Sequence, residues 1–217
     1  MSLRRALKGN PNGKTAWEHL SDWWSGDDDN DKQPKHPLQG RYNPLKLSLG
    51  EVLELSDPKP KAYEVSGVVC FEPIGGGERA TRYELKGERP PLALELLEPA
   101  SEGDQPLYTL YQLVDEFRFD EELVTMCRQD DELTHHLDEG EGEVSTTYLK
   151  DATSRSRVLL HDDQGTTQGQ LEGFYYTSRS GDRFLTVELW HEQGWARFYV
   201  GRELRASQVM SLGVTSP

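Results

Sequence analysis

The side chains best equipped for chemistry are scattered and fit no catalytic spacing. His135 and His136 stand among Asp130, Asp131, Asp138 and Glu139. Imidazole and carboxylate together can hold zinc or another divalent ion. Successive side chains of a strand face opposite sides, however, so neighbouring histidines make poor co-ligands. His135, His136 and Asp138 are therefore a weak metal candidate. Asp27-Asp28-Asp29-Asn30-Asp31 resembles the start of a calcium loop. Such a loop needs Gly at its sixth position and a bidentate Glu at its twelfth. Lys32 and Leu38 stand there instead, so a solvated linker is the better reading.

Two cysteines cannot build a disulfide framework. Cys70 lies in the strand-like run Val68-Val69-Cys70-Phe71 and reads as a small buried residue. Cys127 precedes Arg128, which would lower its pKa if the thiol were exposed. Gly75-Gly76-Gly77 lacks the Lys-Ser/Thr of a phosphate loop and joins two strand-like runs, so it reads as a hairpin turn. His161-Asp162-Asp163 reads as a turn and His191 as a strand-end residue. No G-x-S-x-G, H-E-x-x-H or G-x-G-x-x-G occurs. The expectation is a protein with no catalytic residues and no cofactor.

These residues need elements to carry them. Thr15 and Glu18 form a capping box, and Trp17, Leu20 and Trp24 recur at helical spacing with Trp23 beside them. This predicts a short amphipathic helix after a basic arm and before an acidic linker, all within residues 1–41. From residue 42 the rhythm changes to short apolar and β-branched runs separated by turn residues. Strands are expected at Glu51–Leu55, Tyr63–Phe71, Ala80–Leu85, Leu92–Leu97 and Leu107–Val114. Others are expected at Ser145–Leu149, Arg155–His161, Gln168–Thr177, Phe184–Trp190 and Trp195–Val200. Short helices are expected at Asp120–Met126 and Arg205–Leu212, with an acidic loop over 128–143. Strands spaced by about ten residues argue for antiparallel sheets. The expected class is mainly β, α+β with few short helices, in a sandwich or barrel-like body over 42–217. Residues 42–114 and 144–217 are candidate lobes joined by an acidic segment at 115–143.

The formal net charge is -14. Twelve acids fall between Asp115 and Glu143, opposed only by Arg118 and Arg128. This argues against direct nucleic-acid binding, which depends on neutralising phosphates. No apolar run reaches the ~18 residues of a membrane span, and no apolar stretch follows Arg4-Arg5 as a signal peptide would require. A cytoplasmic protein is expected, at most peripheral at the inner membrane.

Asn43-Pro44-Leu45-Lys46-Leu47-Ser48-Leu49-Gly50, Asp115-Glu116-Phe117-Arg118-Phe119-Asp120 and Thr186-Val187-Glu188-Leu189-Trp190 leading to Phe198-Tyr199-Val200-Gly201-Arg202 resemble the YjfK-like bacterial proteins. That family has no known function. Parts also resemble related β-rich proteins encoded near phage-shock-protein-A-like genes. The resemblance implies a membrane-stress setting. It also implies a partner that is phage-shock-protein-A-like, ESCRT-III-related, or a small membrane protein. It carries no catalytic residue.

Three functions remain in competition at this level. The favoured one is a non-enzymatic adaptor that binds a protein through Trp17, Leu20, Trp23 and Trp24 or through Asp130, Asp131, Glu132, Asp138 and Glu139. The second is an acidic nucleic-acid mimic. The third is a ligand-binding β-barrel or an enzyme built around an internal cavity.

Overall fold

A computed structural model describes residues 37–101, 104–138 and 143–214. The expected tryptophan helix and the Asp27–Asp31 run lie outside them, as does Glu139.

The described chain is mainly β. Eleven strands and one α-helix follow one another as β1 (Glu51–Ser56), β2 (Pro60–Pro73), β3 (Ala80–Leu85), β4 (Leu92–Leu97), β5 (Leu107–Arg118), α1 (Glu121–Gln129), β6 (Glu132–Asp138), β7 (Glu143–Asp162), β8 (Gly165–Ser178), β9 (Phe184–Trp190), β10 (Trp195–Leu204) and β11 (Val209–Val214). The sheet runs β11-β1-β2-β3-β4-β5-β10-β9-β8-β7-β6, and a further β2–β7 pairing closes it. Eight strands, β2 to β5 and β7 to β10, therefore form a ring in which every pairing is antiparallel. Each half of the sequence supplies four of them.

Two long strands make the closure possible. β2 pairs with β1 through Pro60–Glu64 and with β7 through Gly67–Pro73. β7 pairs with β6 through Glu143–Leu149 and with β2 through Ser156–Asp162. Each strand thus spends one half in the ring and the other in a flanking ribbon. Ser145–Leu149 and Arg155–His161, read from sequence as two strands, are parts of the single strand β7. A register shift between Lys150 and Ala152 lets it continue through the intervening polar residues.

Two other elements differ from expectation. The acidic loop contains strand β6, with Leu133 buried against the barrel. The C-terminal helix is only a 3₁₀ turn at Ala206–Gln208, followed by β11 on the outer edge of β1. Periodicity cannot assign a short apolar run such as Val209–Leu212 to helix or strand, and sheet pairing decides it.

Burial is arranged in an unusual way. Cys70, Val68, Tyr83, Leu94, Leu96 and Leu110 lie on the outer face, covered by Leu38, Leu47, Leu53 and Leu55. On the other flank, Leu123 and Cys127 of α1 and Leu133 of β6 cover Phe174, Val187, Leu189 and Phe198. The alternate residues of the same strands face inward. One inner wall is apolar, with Val69, Phe71, Val158, Leu160, Leu171 and Trp190. The rest is polar and aromatic.

Candidate functional site

Period-two alternation builds the barrel interior. Register places Val69 opposite Arg82, Arg82 opposite Glu95, and Glu95 opposite Thr109. Around the far side it places Tyr199 opposite Thr186, Arg197 opposite Glu188, and Tyr175 opposite Thr186. These residues share a ring and face one another across it.

Arg82 occupies the centre, with its side chain 3% exposed. Its Nε and Nη2 donate to Glu95 Oε2 at 3.0 and 2.7 Å, and Nη2 reaches Glu188 Oε1 at 2.6 Å. The guanidinium carbon stands 4.4 Å from the ring centre of Tyr199, 4.9 Å from Phe71 and 5.5 Å from Tyr111. Burial alone would push the Arg82 pKa down, but Glu188 and Glu95 more than offset it and hold it well above the ordinary value. A second buried arginine, Arg197, donates from Nε to Glu116 Oε2 at 2.6 Å and lies 5.5 Å from the Trp190 ring centre.

The carboxylates of the interior outnumber its cations. Burial pushes Glu84 and Glu95 above the usual carboxylate range, against the pull of Arg82. Burial likewise raises the Tyr111, Tyr199 and Tyr175 phenols, the last to about 12, so they remain protonated donors. Thr186 Oγ1 donates to the Tyr111 hydroxyl at 3.3 Å, and Tyr175 and Ser154 hydroxyls lie 3.3 Å apart.

Above this network the barrel is hollow. A cavity of about 560 Å³ opens at the end marked by Pro73, Ala80, Leu97, Leu107, Ala152 and Phe184. Its lining includes Glu95, Thr109, Tyr111, Ser154, Ser156, Tyr175 and Thr186. Both Arg82 hydrogen bonds to Glu95 fall on Oε2. Among the described residues no hydrogen bond engages Oε1, and the side chain keeps 13% of its surface open. Glu95 thus lines the cavity with one carboxylate oxygen that has no hydrogen bond among the described residues.

Sequence reading singled out none of these as site residues. Each belongs to a strand whose alternation of apolar with Arg, Glu, Thr or Tyr looks like a solvated outer face. Only closure of the ring turns that face inward. The one signal in the sequence is that the same polar and aromatic alternation recurs on β3, β5, β9 and β10 together.

The residues proposed from sequence are placed elsewhere. Asp130 caps the C-terminus of α1, its N–H donating to the Met126 carbonyl at 2.9 Å. Asp131 is exposed, 3.8 Å from Lys150, and Glu132 pairs with Arg179 at 2.9 Å. His135 is buried in β6, and His136 and Asp138 follow on the same strand. Among the described residues no group of three metal-binding side chains occurs. Cys127 is fully buried rather than exposed, and burial pushes its thiol up to about 12 against the opposing charge of Lys150. Cys70 is buried as expected. A shallower pocket on the outer wall brings together Arg128, Glu172 and His191. Burial raises the Glu172 pKa, but hydrogen bonds from Arg128 and His191 prevail and hold it below the usual value.

Among known proteins, no family model, no curated protein and no solved structure matches the chain. Among the described residues, no helix is long and apolar enough to cross a membrane.

Proposed function

We propose that this protein binds a small molecule in the mouth of its barrel. The observation that carries the reading is the cavity itself. Its volume falls within the ~300–1,000 Å³ usual for ligand sites, and an eight-stranded barrel is wide enough to hold one small ligand. The wall combines apolar and aromatic surface with a few converging polar groups, which suits orientation of a ligand. The described lining has neither histidine nor cysteine nor lysine to act as nucleophile or base. Glu95 is committed on one oxygen to Arg82. Binding is thus better supported than catalysis.

The adaptor reading retains the exposed Asp131 and Glu132, although Lys150 and Arg179 already face them. The nucleic-acid mimic draws less support. The acids of 115–143 are dispersed, with Glu116 paired to the interior Arg197 and Asp120 capping α1.

Amide chemical-shift mapping with a set of small amphipathic fragments tests the proposal. Shifts should cluster at Leu97, Thr109, Ser154, Tyr175 and Thr186, and Ala152→Trp at the mouth should abolish them. Fragments that perturb only the outer surface, or none that bind at millimolar concentration, would sink the reading.

A further inference from the structure

Resting on that reading, we propose that the ligand is a primary amine with a compact apolar body, its ammonium head seated against Glu95 Oε1. Three features of the cavity point there. The charged side chains that line it, Glu78, Glu95 and Asp151, are all acidic. The two interior guanidinium groups, Arg82 and Arg197, lie outside the lining and are bound to Glu95, Glu188 and Glu116. A carboxylate or phosphate head entering the mouth would therefore meet like charge without a cation to receive it, and would lose its hydration in an enclosed space.

The second feature is the bare oxygen. Glu95 spends Oε2 on Arg82 and keeps Oε1 without a hydrogen bond among the described residues, in a side chain that lines the hollow. An ammonium group has three N–H donors and no acceptor. One donor fits Glu95 Oε1, and the hydroxyls of Thr109, Ser154 and Thr186 in the same lining offer oxygens for the others. The third feature is aromatic. Tyr111 and Tyr175 belong to the same lining, and a cation near their faces gains attraction that grows as water is excluded.

Interior charge agrees with this assignment. Arg82 and Arg197 face Glu84, Glu95, Glu116 and Glu188, two cations against four carboxylates. A cationic guest reduces that excess. The apolar rim of Leu97, Leu107, Ala152 and Phe184 would then surround the ligand body.

Calorimetric titration with three matched probes decides the matter: phenethylamine, 2-phenylethanol and 3-phenylpropanoate. The amine should bind at least tenfold more tightly than the alcohol, and the carboxylate more weakly than either. Glu95→Gln should bring the amine to the level of the alcohol. Because that substitution also touches Arg82, a second measurement uses the unaltered protein. Amine affinity should fall toward that of the alcohol as pH drops through the Glu95 titration. Alcohol or carboxylate binding as tight as amine binding would overturn the amine assignment and leave the binding barrel standing. No probe entering the cavity at millimolar concentration would overturn both.

Discussion

Arg82 joins two carboxylates and three aromatic rings while its own side chain is almost wholly buried. Arg82→Met would leave Glu95 and Glu188 facing each other with their counter-charge gone. Breaking a buried pair in this way costs about 3–5 kcal/mol, so the urea midpoint should fall by that equivalent. Arg82→Lys should recover only part of the loss, because a point charge cannot reproduce the fork that holds both acids. Glu84 behaves in the opposite sense. Its carboxylate has no hydrogen bond among the described residues, and burial raises its pKa above 4.5. An acid whose folded value exceeds its unfolded value contributes stability that is complete below the unfolded value and is lost as pH rises through the folded one. Glu84→Gln should therefore raise the melting temperature at about pH 7–8, with the gain fading toward about pH 4. Calorimetry across that range checks the sign, and a gain independent of pH would contradict it.

At the scale of elements, close approach rather than propensity sets the inner wall. A Cβ built on Gly201 would stand 2.5 Å from two ring atoms of Tyr111, and one on Gly67 would stand 3.2 Å from Glu84 Cγ. Gly201 on β10 thus makes the space that Tyr111 of β5 fills. Gly201→Ala should cost about 1–3 kcal/mol by overpacking and change the near-ultraviolet circular dichroism of the displaced ring. In α1, Asp120 Oδ1 accepts from the Leu123 N–H at 2.9 Å, and Asp120→Ala should cost about 1 kcal/mol in a denaturant titration. Most strands could be read in the sequence because turn residues bound their β-branched runs, as Gly75-Gly76-Gly77 bounds β2 and β3. β6 and β11 could not. Their short runs carry no decisive period, and pairing with β7 and β1 is what makes them strands. The site was hidden for a related reason: Arg82, Glu84 and Glu95 alternate with apolar residues in the same way that solvent-facing residues do.

The whole molecule reverses the usual placement of its apolar residues. Among the described residues the two larger apolar clusters lie outside the ring, under α1, β6, β1 and the 37–50 segment, while the ring encloses charge beside one apolar wall. The flanking segments are thus as necessary to the barrel as its own strands, and their removal would expose the outer wall. Closing such a ring also takes time. Hairpins such as β3–β4 and β8–β9 join neighbours, but the β2–β7 seam sets Gly67 opposite Asp162, and the β5–β10 seam sets Arg118 opposite Trp195. Distant pairings must absorb the entropy of loop closure before their contacts repay it, so the seams should zip after the hairpins. Substitutions in late-forming contacts act mainly on the unfolding rate. Leu160→Ala, on the β2–β7 seam, should speed unfolding in stopped-flow measurements while leaving refolding nearly unchanged. The seam that closes the ring is then also the clasp that governs how long the folded molecule lasts.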